Sequence, residues 1–471
     1  MSEHNIKATV KTKTLRGLDP KRAGIDVGAS SVFVCISDIQ GHQEVREYST
    51  FTRDLTSMGK WLKEREIKSV AMESTGVYWI PVFEILEPMG FEVLLVNARH
   101  LKNVPGRKTD VKDSQWIQQL HSNGLLSGSF RPSDDFVRLR AYVRQRRQLF
   151  ERAGIHIQLM HKALVQMNVQ MHLAVSDITG KTGLSIVQAI LRGEHDPMQL
   201  ADYRQEGCKK SREEIAKALE GTWREEHLFA LRQAYEAYEF YHKQIMECEK
   251  AIQQILPTLT TPNFSAYTKR TTPGDAWMAF SPEESLPKHK KKVKKKTSYN
   301  RSPYHFDAVQ QAQQVCGGVN LTEIPGIEAN TLLVILSEVG TDMSKWRTVK
   351  HFASWLGLCP GSKISGGKVL NSKTKPTNNR AAHALRLAAH ALYRSDTALG
   401  VFFRRMRSRL GAPKAITAVA HKLAKIIYRM LKYGISYKEL GADYYEQIHK
   451  ERVLANLKKK AAELGHQLLP A

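Results

Sequence analysis

The feature that most constrains the fold is the order of apolar patterns between Ala23 and Asn97. Residues 23–27 (AGIDV), 31–37 (SVFVCIS) and 42–49 (HQEVREYS) have the short alternating or continuous apolar runs of strands. A helical stretch at 52–66 follows, then a strand at 68–74 (KSVAMES), a helix at 77–90 and a strand at 91–97 (FEVLLVN). Three strands followed by alternating helices and strands predict a mixed sheet with helices packed on it, an α/β domain. A further helix is expected to begin near Thr109, a good N-cap, and to stop at Gly124.

Beyond residue 136 the pattern turns helical. Apolar residues recur at three- and four-residue steps with arginines between them through 138–164, and again with mixed charges through 212–256, as in a helical hairpin or coiled coil. Residues 257–318 are rich in Pro, Ser, Thr and Lys and peak at the run 288–296 (KHKKKVKKK). They read as a loosely ordered insertion, either touching nucleic acid or simply solvated. In 321–340 (LTEIPGIEANTLLVILSEVG) a PGI turn between two apolar helices is the pattern of a helix-hairpin-helix, whose turn amides can hold a DNA phosphate. The expected plan is a basic arm (1–22), an α/β domain (23–135), a helical region (136–256), a Lys-rich insertion (257–318), a second, mainly α domain (319–435) and a helical tail (436–471).

Charge points to the partner. The formal net charge is +25, with a pI near 9.7, which favours binding a polyanion such as nucleic acid. Residues 371–434 alone carry fourteen lysines and arginines against one acid, Asp396. A membrane is the weaker reading, because no apolar run approaches the roughly 20 residues that span a bilayer, and no signal segment opens the chain. Five scattered cysteines without a CxxC pair argue against a zinc site or disulfide framework, so a cytoplasmic, nucleoid-associated protein is expected.

Four acids fall at telling places. Asp26 lies on the first strand and Glu73 at the end of the fourth, while Asp110 and Asp113, three residues apart, share one face at a helix start. In a ribonuclease-H-like sheet those three elements meet at one point. Clustered carboxylates repel unless a cation sits among them, and hard oxygen ligands favour Mg²⁺ or Mn²⁺. Each acid alone is more often a cap or a surface charge, and Asp110 could merely favour a helix N-terminus; the joint placement carries the reading. GIDVG also opens actin-like ATPases, but their second phosphate loop and adenosine-binding glycine pair are absent from this chain. In the second domain, Ser365 stands in ISGGK with Gly366, Gly367 and the cations Lys363 and Lys368. It reads either as a nucleophile beside a phosphate-approaching backbone or as a plain turn residue; Ser362 and, more remotely, Ser74 are alternatives.

The stretches GIDVGASS, AMESTGVYW, VNARHLKNVPGRKTDVKDSQWI and LGLCPGSKISGGKV together resemble the DEDD transposases of bacterial insertion sequences, the one-ten family, over roughly residues 23–150 and 319–435. The resemblance implies a RuvC-like N-terminal domain whose tetrad is Asp26, Glu73, Asp110 and Asp113. It also implies a C-terminal transposase domain whose nucleophile is Ser365, meeting the tetrad between subunits. Such proteins are expected to act on element ends and target DNA with a non-coding bridge RNA, as homo-oligomers from dimer to tetramer. KTKPTNNRAAHALR lacks the glycine of the family's usual run, so Asn379, Arg380 and Arg386 match it loosely. Nucleic-acid contacts are expected at Lys363, Lys368, Arg380, Arg386, Arg404, Arg405, Arg407 and Arg409, with Arg144, Arg146 and Arg147 as a second patch. The rival readings are a RuvC-like nuclease or junction resolvase without a covalent intermediate, and a non-catalytic nucleic-acid scaffold.

Overall fold

The computed structural model describes residues 19–74, 76–97, 110–265 and 304–468. Most of the basic arm, the Thr109 cap and the lysine run at 288–296 therefore lie outside the described residues. The chain divides into two compact units, residues 1–131 and 132–471.

The first unit contains β1 (Arg22–Val27), β2 (Ser31–Ser37), β3 (Gln43–Ser49), α1 (Thr52–Glu64), β4 (Ser69–Glu73), α2 (Trp79–Leu86), β5 (Glu92–Val96) and α3 (Asp110–Ser122). The sheet order is β3-β2-β1-β4-β5, with β1, β2 and β3 antiparallel and β1, β4 and β5 parallel. β1 begins one residue earlier than the sequence suggests. Arg22 is the first residue of β1 because its guanidinium is tied down, donating to Asp19 Oδ2 at 2.8 Å and to the His121 carbonyl at 3.0 Å.

Side chains alternate across the sheet. Ala23, Ile25, Val70 and Met72 pack with Leu55, Met58 and Leu62 of α1 and with Phe83 and Leu86 of α2. The opposite face is thinner: Ala71 and Val96 pack with Ile117 and Leu120 of α3. Gly24 faces α3 at very short range. A Cβ on it would lie 2.1 Å from the Gln118 backbone nitrogen and 2.5 Å from the Ser114 carbonyl oxygen, so only glycine lets the helix lie this close to β1.

The second unit is almost wholly helical. The long helices α4 (Asp134–Gln166) and α9 (Glu225–Ile255) pack along each other, with α5 (Met171–Ala174), α6 (Lys181–Leu191), α7 (Pro197–Asp202) and α8 (Arg212–Leu219) between them in the chain. The periodic stretch at 212–256 is thus broken at 220–224, where Trp223 has φ 46°, and the partner of α9 is α4. Next come α10 (Ala308–Val315), α11 (Ala329–Val339), α12 (Val349–Trp355), a hairpin of β6 (Lys363–Ser365) and β7 (Lys368–Asn371), α13 (Arg380–Ala391), α14 (Ala398–Leu410), α15 (Ala412–Tyr433) and α16 (Gly441–Glu463). The pair of apolar helices expected around PGI is not formed. Only a 3-10 turn, Leu321–Glu323, directly precedes it: α10 stops at Val315, before Gly317 and Gly318 with φ of 65° and 91°, and Pro325 keeps Ile324 extended with ψ 122°. Among the described residues no helix is long and apolar enough to cross a membrane.

Candidate active site

The placement of the acids follows from β1, β4 and α3. Gly24 pairs with Ala71 and Ile25 with Met72 in the parallel register of β1 and β4. Gly24 and Ala71 both face α3, and two residues further along each strand the same face carries Asp26 and Glu73. Both lie at the ends of their strands and both are half-buried. The late half of α3 lies over the start of β1, where the His121 carbonyl accepts from Arg22, and Ser114 lies over Gly24. The helix therefore runs antiparallel to β1, and its first turn, with Asp110 exposed and Asp113 half-buried, comes toward Asp26.

Electrostatics reports the same convergence. Burial, then the carboxylates of Asp110, Asp113 and Glu73, push the Asp26 carboxyl up to about 6. Desolvation and like-charge repulsion both disfavour the ionised form. Among the described residues no three His, Cys, Asp or Glu side chains stand close enough to enclose one metal ion. The four acids thus share one field without closing into a coordination shell among the described residues. Their chemistry still fits a hard divalent cation: all donors are oxygens, and positive charge would relieve the repulsion at Asp26.

Ser365 lies on the β6–β7 hairpin, where it pairs with Lys368. Gly366 and Gly367, the two turn residues, have φ of 54° and 75°, the left-handed pair of a tight two-residue hairpin turn. Ser365, Lys368 and the alternative Ser362 are exposed, whereas the Lys363 side chain lies outside the described residues.

The basic residues divide by burial. Arg407 and Arg409 are exposed at the end of α14, with the Arg407 guanidinium 4.4 Å from the centre of the Tyr393 ring. Arg404 is half-buried and donates to the Ser395 and Tyr393 carbonyls at 2.8 and 3.3 Å. Arg405 is half-buried beside Tyr445, Arg380 is half-buried at the start of α13, and Arg386 is half-buried, donating to the Gly357 carbonyl at 3.4 Å.

The second patch needs correcting. Arg146 is only 3% exposed and forms a 2.6 Å ion pair with buried Glu249, so it is core structure and not a nucleic-acid contact. Its guanidinium also stacks 3.8 Å from the Tyr304 ring centre, and Glu249 accepts a 2.8 Å hydrogen bond from the His305 backbone N–H. Arg144 forms two 2.8 Å hydrogen bonds to the Glu338 carboxylate. Arg147 is exposed and pairs with Glu151 at 2.9 Å.

Sequence reasoning missed Gln118, a buried residue on the sheet side of α3. Its amide donates to Ser37 Oγ and Ser122 Oγ, both at 2.7 Å, and accepts from Gln43 Nε2 at 2.9 Å. An uncharged Gln amid the apolar positions of α3 was its only trace.

Comparison with known proteins gives the family that the chain resembles. Residues 23–169 match a family model for DEDD transposases of the IS110 type, described as a transposase. Residues 319–403 match a second, described as the transposase IS116/IS110/IS902 family. The chain is also similar to an insertion element IS110 uncharacterized 43.6 kDa protein of Streptomyces coelicolor, 31% identical over 120 residues. That match covers 25% of this chain and 29% of the relative's length.

Proposed function

The chain belongs to the IS110 family of transposases, and from that premise we propose that it cuts and rejoins the DNA strands of an insertion sequence. The observation that carries this reading is the convergence of Asp110, Asp113 and Glu73 on Asp26 at one end of a mixed five-stranded sheet. That strand order and the first-strand acid support the ribonuclease-H-like, RuvC-like assignment. Asp26, Glu73, Asp110 and Asp113 would hold a divalent cation, Mg²⁺ or Mn²⁺. When bound, such an ion polarises a phosphodiester and acidifies an attacking hydroxyl.

Ser365 is the proposed nucleophile. Its hydroxyl oxygen would bond to the scissile phosphorus while the sugar oxygen leaves and the serine proton passes to a base. The resulting phosphoserine conserves the energy of the cut bond, so rejoining needs no ATP. The two-glycine turn beside Ser365 leaves room for a phosphate to approach the backbone. Lys368, its partner across the hairpin, supplies positive charge. The excess of +25 supports nucleic acid as a partner, and the family resemblance supports a non-coding bridge RNA and a homo-oligomer, from dimer to tetramer.

A trapping experiment tests this reading. The protein is incubated with labelled element-end DNA, Mg²⁺ and the transcript flanking the element, then denatured and resolved by mass. Wild-type protein should form a covalent protein–DNA species that Ser365→Ala does not. Free cleaved ends without any adduct, at equal rates in both proteins, would replace this mechanism with that of a hydrolytic nuclease.

A further inference from the structure

The carboxylates cannot hold one another in place, because they repel. Where Asp110 and Asp113 stand against Asp26 therefore also depends on how the second half of α3 is tied to the sheet. Gln118 is 2% exposed, and both ends of its amide are occupied. The oxygen accepts from Gln43 Nε2 on β3 at 2.9 Å; the nitrogen donates to Ser37 Oγ on β2 at 2.7 Å and lies 3.4 Å from the Arg22 carbonyl of β1. The same Gln43 amide donates to the Gln115 carbonyl at 3.2 Å. With the second N–H on Ser122 Oγ at 2.7 Å, one side chain therefore ties α3 directly to β2 and β3 and lies against β1, at the point where Gly24 brings the backbones together. One turn on, the ring Nε2 of His121 lies 2.9 Å from Ser69 Oγ on β4.

We propose that Gln118 is a positioning residue for the acidic site: by fixing the register of α3 on β1, β2 and β3 it sets where Asp110 and Asp113 stand relative to Asp26. A cheaper device for adhesion alone would be an aliphatic side chain, as at Ile117 and Leu120. An apolar contact tolerates sliding, whereas a fully satisfied buried amide held by Gln43 and Ser37 of two neighbouring strands specifies one register. The inference rests on the proposed metal role of the four acids.

The test uses the full chain and Tb³⁺ luminescence, with Mg²⁺ competition, as a direct readout of cation binding. Gln118→Met keeps length and volume but removes every hydrogen bond. Gln43→Met, at a less buried position, removes one arm and leaves the α3 side chain intact. Both variants are first checked for folding by circular dichroism. The expected result is weaker cation binding by about 10-fold in Gln118→Met, typical of losing an outer support of a metal site, and a smaller loss in Gln43→Met. Rescue by Gln118→Glu should be partial, since a carboxylate retains only the acceptor arm. Folded Gln118→Met and Gln43→Met that bind as tightly as wild type would overturn the proposal. Asp26→Ala separates the two levels of the argument: if it too binds Tb³⁺ normally, the acidic site itself is wrong; if it loses binding while the glutamine variants do not, only the positioning role fails.

Discussion

Gly24 of β1 and Gln118 of α3 are in backbone contact, so close that a Cβ on Gly24 would fall 2.1 Å from the Gln118 nitrogen. Neither backbone can yield without lifting the helix that carries Asp110 and Asp113. Gly24→Ala should therefore cost about 1–3 kcal/mol of stability, as overpacking does. Gly154→Ala is the control: this glycine lies within α4 and a Cβ there meets nothing within 4 Å, so a gain of roughly 0.5–1 kcal/mol is expected. Urea unfolding of both variants checks this, and a neutral Gly24→Ala would contradict it.

Arg146 and Glu249 are buried together, 3% and 1% exposed. Removing one charge leaves the other stranded, so Glu249→Gln should destabilise the second unit by about 3–5 kcal/mol. Chemical denaturation measures this, and a loss below about 1 kcal/mol would mean that the pair is solvated.

Nucleic-acid affinity should fall with salt, with a log–log slope of roughly −0.9 per phosphate contact on duplex DNA. Neutralising the exposed pair Arg407 and Arg409 should flatten the slope by about 2. Neutralising Arg146, once its lower stability is allowed for, should leave the slope unchanged. The reverse pattern in filter-binding titrations would move the interface to α4.

The contrast between these arginines shows where sequence patterns run out. The acids of β1, β4 and α3 were legible because strand order and side-chain alternation are local properties that fix which face and which end each acid occupies. Arg146 was not. On a helix with arginines at close intervals, a buried cation and a solvated one look alike, and the partner that decides, Glu249, lies 103 residues away. The same holds for Gln118, whose partners Gln43 and Ser37 sit 75 and 81 residues earlier. The helix expected before PGI shrinks to a 3-10 turn for local reasons that were in view: Gly317 and Gly318 turn left-handed upstream and Pro325 extends Ile324.

His121 carries a pH prediction. Burial first, then the Arg22 guanidinium, lowers its pKa from 6.5 to about 4. The folded state therefore resists protonation that the unfolded chain accepts. Its contribution to stability is complete above about 6.5 and is lost as pH falls toward about 4. Unfolding midpoints of wild type and His121→Gln, measured between those limits, should converge as pH falls if other groups behave alike. A difference independent of pH would contradict the buried neutral imidazole.

The central claim is that Asp26, Glu73, Asp110 and Asp113 act together in cutting DNA, and single-turnover strand cleavage by the four alanine variants tests it most directly. Each variant should bind element-end DNA like wild type while cleaving slower by on the order of 100-fold or more, the loss expected when charge stabilisation at a phosphoryl centre is removed. Normal cleavage by any three of the four folded variants would contradict the account.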